Sequence, residues 1–283
     1  MGEAEPQDLL FLHSVLAQCG LPYRTPPGGA REYQRQSGRA TLIVQAGHLL
    51  DPATGRPVPQ QLPAGARPRL LLLHLCSQAL RRGSPIIALP GSMSGLMHEL
   101  GIAVTGGRSG TIRAFKDQLN RLAASRVQLL FAGIDKASML NTSPISRVDV
   151  WFPPDRRQGA LWPSQVQLSA EFFESLQRHA VPLDPRAIRA LQHSSRGLDV
   201  YAWLSHRLPR VSASIGEPVS WRALQSQFGG ELTALKAFKR EFTKALRQVL
   251  AVYPQGKVED EKGGLRLHRS PPAIGPRLTA RSR

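Results

Sequence analysis

Two regions of the sequence carry residue types that bind phosphate groups. The first is the glycine-rich turn V-T-G-G-R-S-G-T at 104–111, which leads directly into a predicted helix. The free N–H groups at the start of a helix, together with glycine backbone, commonly bind phosphate. The second is a row of lysines and arginines between 236 and 247, at spacings of three and four residues that place them on one helical face. Both regions therefore predict contact with a phosphorylated ligand.

The glycine-rich turn differs from the loops that bind nucleotides. A Walker A loop needs a lysine directly before its Ser or Thr, and no lysine precedes Thr111. The segment before the turn also has the pattern of a helix end rather than that of a buried strand. Gly106, Gly107 and Gly110 instead fit the turn of a helix-turn-helix, with Ser109 or Thr111 as the cap of the following helix.

The charge of the chain favours nucleic acid as the phosphorylated ligand. The formal net charge is +17 and the sequence pI is near 11.2, values typical of chains that bind an acidic polymer. Residues 1–64 hold equal numbers of basic and acidic residues, so the excess lies in the blocks 65–170 and 171–283. Aromatic residues are few, at 6%, and fall mostly on apolar stripes, which disfavours a protein that stacks single-stranded RNA bases.

Sequence patterns for catalysis and metal binding are missing. The eight histidines are scattered, no G-x-S-x-G elbow occurs, and the acidic residues are too sparse for a two-metal site. Tyr33, Tyr201 and Tyr253 are conceivable nicking nucleophiles, but no metal-binding histidine pair accompanies them. We therefore expect no enzymatic activity, no metal and no cofactor.

The sequence lacks the patterns of a disulfide framework, a signal peptide and a membrane span, and this predicts the compartment. Cys19 and Cys76 are too few for a disulfide framework, and the N-terminus is acidic, unlike a signal peptide. No apolar run approaches the roughly 18 residues that a membrane span needs. These features predict a cytoplasmic protein that does not enter a membrane.

The first 64 residues predict an N-terminal arm. Proline and glycine dominate 26–29 and 51–68, a composition typical of turns and linkers. Between them, residues 39–50 fit one strand or a hairpin. We expect this Pro/Gly-rich arm to contribute little core.

The two downstream blocks share an order of predicted elements. In the first block, helices are predicted at 69–83, at 92–101 and from the glycine-rich turn to Leu122, followed by strands at 126–133, 146–152 and 164–172. In the second block, helices are predicted at 197–208, 220–230 and 231–254, followed by a hairpin at 256–270. Three helices followed by a hairpin is the winged form of the helix-turn-helix.

The predicted fold is therefore α+β and mainly helical, with two tandem winged-helix domains. The predicted boundaries are 1–64 for the arm, 65–170 and 171–270 for the two domains, and 271–283 for a basic tail.

The third helix of each block has an apolar face and a separate polar face, as a helix that enters a DNA groove requires. The two faces lie roughly 155° apart in the second block and roughly 115° apart in the first. Two such helices in strongly basic blocks favour DNA binding over an ordinary solvated surface. The predicted DNA-binding residues of the first block are Arg108, Ser109, Thr111, Arg113, Lys116 and Asn120. Those of the second block are Thr233, Lys236, Lys239, Arg240, Lys244 and Arg247, with Lys257, Lys262 and Arg266 on the hairpin.

Ordered segments across residues 70–270 resemble the plasmid replication initiators of the RepA type. They are S-P-I-I-A-L-P-G-S-M-S-G-L-M-H-E-L-G at 84–101 with the glycine-rich turn, G-L-D-V-Y-A-W-L-S-H-R-L-P-R at 197–210, and F-K-R-E-F-T-K-A-L-R-Q-V-L-A-V-Y-P at 238–254. The resemblance implies winged-helix domains that bind direct repeats in double-stranded DNA at a plasmid origin. It also implies opening of the adjacent duplex and recruitment of host replication proteins such as the replicative helicase.

The same resemblance implies repression of the protein's own promoter, with consequences for plasmid copy control, and an exchange between homodimer and monomer. It maps the helix that recognises DNA onto Glu231–Leu250. The corresponding helix of the first block, Arg108–Leu122, either contacts DNA as well or serves the dimer.

Two other functions remain open from the sequence. A winged-helix transcriptional repressor would carry the same residues, and origin opening would distinguish an initiator from it. An enzyme that processes nucleic acid, such as a relaxase or a primase-like protein, would be centred on Tyr201 or on the glycine-rich turn. Nicking of DNA or hydrolysis of nucleotides would establish that alternative.

Overall fold

The computed structural model describes residues 9–51, 54–132, 137–148, 165–212 and 214–274. Over these ranges the protein is α+β, as the sequence predicts, and its strands form several small antiparallel sheets. The predicted strand at 146–152 lies within the described ranges only as far as residue 148. The predicted basic tail lies within them only as far as residue 274.

Residues 9–51 and 54–59 contain regular elements, although all of them belong to the predicted arm. Apart from a short 3-10 turn at Pro27–Gly29, the elements are β1 (Leu10–His13), α1 (Ser14–Gln18), β2 (Glu32–Ser37), β3 (Ala40–Gln45), β4 (His48–Leu50) and β5 (Pro57–Pro59). Leu42, Val44 and Leu62 are completely buried. The expectation that this segment contributes little core is therefore wrong.

Residues 39–50 form two strands that belong to different sheets. β3 pairs with β2 on one side, whereas β4 pairs only with β5 among the described strands. The segment is therefore neither the single strand nor the hairpin that its sequence suggests.

The first block contains the three predicted helices. Its elements are α2 (Ala66–Arg82), β6 (Ile86–Ala88), α3 (Met93–Glu99), α4 (Thr111–Ala124), β7 (Arg126–Ala132), β8 (Ala137–Thr142), β9 (Ile145–Val148) and β10 (Gln165–Leu168). Helix α2 ends at Gly83, whose φ of 60° is left-handed and therefore favours glycine. The predicted strand at 164–172 ends at Leu168, because the Ser169 side chain accepts a hydrogen bond from the Phe172 N–H and caps a helix there.

The second block contains its three predicted helices and its predicted hairpin. The elements are α5 (Ala170–His179), β11 (Ala180–Leu183), α6 (Pro185–Leu191), α7 (Ser195–Arg207), β12 (Glu217–Ser220), α8 (Trp221–Phe228), α9 (Leu235–Val252), β13 (Val258–Glu261) and β14 (Gly264–Leu267). A short 3-10 turn at Leu208–Arg210 follows α7. The elements α5, β11, α6 and β12 are not among those predicted.

Two groups of elements repeat one topology. The first unit, α2-β6-α3-α4-β9-β10, and the second unit, α7-β12-α8-α9-β13-β14, both run helix, strand, helix, helix, strand, strand. In both three-stranded sheets the last strand lies in the middle, in the orders β6-β10-β9 and β12-β14-β13. Strands β7 and β8 interrupt the first unit and join the N-terminal strands in the sheet β2-β3-β7-β8.

The two units are joined at their first helices by a buried ion pair. Arg69 of α2 donates from Nε and Nη2 to the two carboxylate oxygens of Asp199 in α7, both at 2.7 Å. Its Nη1 donates to the carbonyl oxygens of Gly65 and Pro22 at 2.7 and 3.1 Å. β1 also pairs with β11, with Leu10 opposite Leu183. Contacts therefore cross the predicted boundaries after residues 64 and 170. The boundaries themselves stay predictions.

Candidate nucleic-acid interface

Helix α9 separates apolar from basic side chains. Phe238, Phe242 and Val249 are completely buried, and Leu246 is nearly so. Tilted aromatic packing between Phe242 and Phe228 of α8, with centroids 5.4 Å apart, seats the helix on the core. The opposite side carries four exposed basic residues, which are Lys236, Arg240, Lys244 and Arg247. The eighteen residues of the helix span about 27 Å, so this row is long enough to follow a DNA groove.

Trp221 connects α9 to residues 257–268, the hairpin that the sequence predicts as a wing and that is called the wing hairpin from here on. The Nζ atom of Lys239 lies 5.2 Å from the centroid of the Trp221 ring, and Phe242 meets the same ring edge-on. The backbone N–H of Trp221 donates to the carbonyl oxygen of Gly263 at the tip of the hairpin, at 3.0 Å. These contacts fix the distance between the basic helix and the hairpin.

An open groove lies between α9 and the hairpin. It is lined by Trp221, Lys239, Arg240, Thr243, Lys244, Arg247, Gln248, Asp260, Glu261 and Lys262. Five of these side chains are basic and suit phosphate oxygens. Thr243 and Gln248 are neutral hydrogen-bonding groups of the kind that contact base edges.

Hydrogen bonds from a side chain of α8 hold the turn that precedes α9. Gln225 donates from Nε2 to the carbonyl oxygens of Leu232 and Thr233, both at 2.9 Å. Thr233 itself is exposed, and the N-cap residue of α9, Ala234, provides no side-chain cap. The start of α9 thus has the backbone arrangement that accepts a phosphate, with Thr233 beside it.

The wing hairpin is less basic than the sequence suggests. Lys257 and Lys262 are exposed, as a phosphate contact requires. Arg266, in contrast, forms an ion pair with Glu261, and its Nη1 donates to the Ile215 carbonyl oxygen at 3.2 Å. The predicted role of Arg266 at DNA therefore competes with partners inside the protein.

Arg240 also has a partner on its own helix. Its Nε donates to Glu241 at 3.0 Å, and this hydrogen bond lowers the pKa of the Glu241 carboxyl group. The Arg240 side chain nevertheless remains 77% exposed, so it can still reach a ligand.

The glycine-rich turn before α4 is closed by internal hydrogen bonds. The Thr111 hydroxyl donates to the Ala103 carbonyl oxygen at 2.6 Å and accepts the Thr105 N–H at 2.8 Å. Thr105 Oγ1 in turn accepts the Thr111 N–H at 3.0 Å, and the N-cap residue is Gly110. The prediction that Ser109 or Thr111 caps this helix is therefore wrong.

The predicted binding residues of the first unit are less accessible than those of α9. Arg108, Ser109 and Arg113 are exposed, whereas Lys116 and Asn120 are half-buried. The adjoining side of α4 packs on residues that precede the first unit. Gln118 accepts the Ala64 N–H at 2.9 Å, and Arg121 donates to Thr25 Oγ1 at 2.8 Å. The first unit therefore offers a smaller basic surface than α9.

The three tyrosines considered as nucleophiles are engaged in the fold. The Tyr201 hydroxyl accepts the Asp184 N–H at 3.1 Å, and burial raises its pKa. Burial also raises the pKa of Tyr33 and Tyr253 to about 12, and their hydroxyls donate to carbonyl oxygens. No group of three or more metal-binding side chains occurs in the part of the chain that the structure describes.

Sequence reasoning identifies the five basic residues of this groove but misses Trp221, Thr243, Gln248, Asp260 and Glu261. Thr243 and Gln248 lie on the predicted helix, so its periodicity is a signal that could identify them. Trp221, Asp260 and Glu261 come from other elements, and only the packing of α8 and the hairpin against α9 brings them to the groove.

Comparison with known proteins identifies the family. The family model described as plasmid encoded RepA protein matches residues 62–222, more than half of the chain. The chain therefore belongs to this family and is a RepA-type plasmid replication protein. The match ends at Arg222, before α9 and the wing hairpin. No curated protein and no solved structure matches the chain. Among the described residues, no helix is both long and apolar enough to span a membrane.

Proposed function

We propose that the protein is a DNA-binding initiator of plasmid replication and that its second unit is a winged-helix domain with α9 as the recognition helix. The observation that carries the proposal is the exposed basic row of α9, which lies beside a β-hairpin and opposite the buried face of the helix. The order of elements and the central position of β14 support the assignment of a winged helix-turn-helix. The first unit has the same topology, and we propose that it is also a winged-helix domain.

In this mechanism the basic residues neutralise phosphates, and neutral side chains recognise bases. Lys236, Arg240, Lys244 and Arg247 set the position of α9 on the duplex, with Lys257 and Lys262 on the flanking backbone. Thr243 faces the same groove and is placed to contact a base edge. The protein acts without an enzymatic step, and the engagement of the three tyrosine hydroxyls supports this.

The family supports a replication role beyond DNA binding. We propose that the protein binds direct repeats at its origin in the cytoplasm, opens the adjacent duplex and recruits the host helicase, with a homodimer as a second state. A transcriptional repressor with the same interface is the alternative, and an assay of strand opening on a supercoiled origin plasmid distinguishes the two.

The test measures binding of the purified protein to duplex DNA from upstream of its own gene and to a scrambled duplex, across a salt series. We expect the wild type to prefer the upstream duplex at physiological salt. Lys236→Ala with Arg240→Ala should weaken binding and reduce the slope of log K against log salt by about 1.8, because each phosphate contact contributes about 0.9. The fold should be retained, since both side chains are exposed.

The matched control is Arg82→Ala with Arg178→Ala, which removes the same charge from exposed positions on α2 and α5. An equal loss in both double variants would mean that only the overall charge matters. Equal binding of the two duplexes by the wild type would refute sequence-specific recognition.

A further inference from the structure

Strand β13 carries three consecutive acidic residues next to the basic groove. They are Glu259, Asp260 and Glu261, and alternation along a strand sends them to opposite faces. Asp260 is paired in register with Leu265, and Val258 with Leu267. Both leucines are buried, so Asp260 lies on the face of the hairpin that packs toward the helices.

The other two acids have partners within the hairpin, including Glu261, which also lines the groove. Glu261 forms an ion pair with Arg266, and Glu259 lies 3.1 Å from His268 Nε2. Asp260 is exposed, and no hydrogen bond or ion pair joins it to another residue in the described ranges. It lines the groove opposite Lys239, Arg240 and Lys244.

A carboxylate at this position works against general affinity for DNA. In a groove that holds phosphates, its negative charge repels the backbone of any duplex, whatever the sequence. A carboxylate does, however, accept a hydrogen bond from the exocyclic amino group of cytosine, which is exposed in the major groove. The hairpin holds Asp260 on the groove wall that faces α9, because the Trp221 N–H anchors its tip.

We propose that Asp260 is a specificity-determining residue that accepts a hydrogen bond from a cytosine amino group and penalises binding to other sequences. The inference rests on the proposed function, because it requires α9 and the wing hairpin to lie on duplex DNA. In this arrangement Asp260 contacts a base, whereas the basic residues of the groove contact phosphates.

The experiment is selection from a library of random duplexes by wild type, Asp260→Asn and Asp260→Ala, followed by affinity measurements on the wild-type consensus and a scrambled duplex. For both variants we expect stronger binding to scrambled DNA. We also expect about a tenfold loss of preference at one C·G base pair, with the other positions unchanged. Circular dichroism checks that the variants fold.

The matched control is Glu259→Gln, which makes the same change of charge on the outer face of the hairpin. It should leave every base preference unchanged. If the Asp260 variants bind all duplexes more tightly by one common factor, Asp260 is an electrostatic repeller and the inference is refuted. If the wild type enriches no sequence, the proposed function is refuted and the inference falls with it.

Discussion

Within the described ranges, Arg35 and Arg69 differ in burial and in role from the exposed arginines. Arg35 and Arg69 are 5% and 6% exposed, and both guanidinium groups lie near the ring of Tyr23. Arg69 is paired with Asp199, and Arg35 donates to the Gln227 carbonyl oxygen at the end of α8. These charges stabilise the fold and are inaccessible to a ligand. A part of the +17 charge is therefore structural, and the sequence count overstates the number of phosphate contacts.

His13 is a buried residue whose neutral form the fold requires. Its Nδ1 accepts the Val15 N–H at 3.2 Å and caps α1, and its Nε2 lies 3.0 Å from Ser175 Oγ. Burial, with a smaller contribution from His179, lowers the pKa of His13 to about 3. Burial likewise lowers the pKa of His74 and His206 to about 4. Below the ordinary histidine pKa of about 6.5, the unfolded chain therefore binds protons that the folded chain excludes.

We therefore expect the free energy of unfolding to decrease as pH falls from about 6.5 toward 4, with His13 contributing on the order of 3 kcal/mol. Urea denaturation at a series of pH values measures this loss. His13→Asn keeps a capping acceptor without a titrating ring, so its stability profile should be flatter than that of the wild type. His48→Asn, at an exposed position, should leave the profile unchanged. Parallel profiles for the wild type and His13→Asn would contradict the prediction.

At the scale of elements, those with strong local signals are predictable. Helix α9 combines a regular apolar stripe with Pro254 after its end, and helix α2 ends at a glycine. Helix α5 is missed because the alternating residues of β10 run into it, and only the Ser169 cap marks the change. The four residues of β1 carry too little pattern, since their partner strand lies about 170 residues away along the chain.

Helices α4 and α9 are the third helices of their units, but α9 exposes more basic surface than α4. We therefore expect Arg113→Ala with Lys116→Ala on α4 to reduce affinity for duplex DNA less than Lys236→Ala with Arg240→Ala on α9. The physical reason is that Lys116 is half-buried, whereas both α9 residues are exposed. Fluorescence anisotropy with one labelled duplex, at two salt concentrations, compares the double variants directly. Equal losses of affinity and of salt slope would show that both helices contact DNA.

At the scale of the whole molecule, the sequence predicts three helices in each block but not how the blocks are joined. Composition indicates a linker before residue 65, because proline and glycine are dense there. The structure instead pairs β3 with β7 along six residues, and Gln227 of α8 donates to the carbonyl oxygen of Gln18 at 2.8 Å. Neither contact has a local signature. The candidate site shows the same difference. The spacing of lysines and arginines predicts the basic row of α9, but it does not predict that the Asp260 carboxylate of the hairpin faces this row.

These contacts predict that residues 9–62 and the second unit unfold together. Leu42 is completely buried in β3, so Leu42→Ala should destabilise the protein by about 2–5 kcal/mol. In native-state hydrogen exchange, the slowest amides of α7 and α9 should lose the same free energy as those of β3, because one core cluster includes all three elements. Leu50→Ala, at a position that is 64% exposed, is the control and should change little. Loss of protection confined to β2 and β3 would instead mean that the N-terminal strands form an independent unit, as the composition alone suggests.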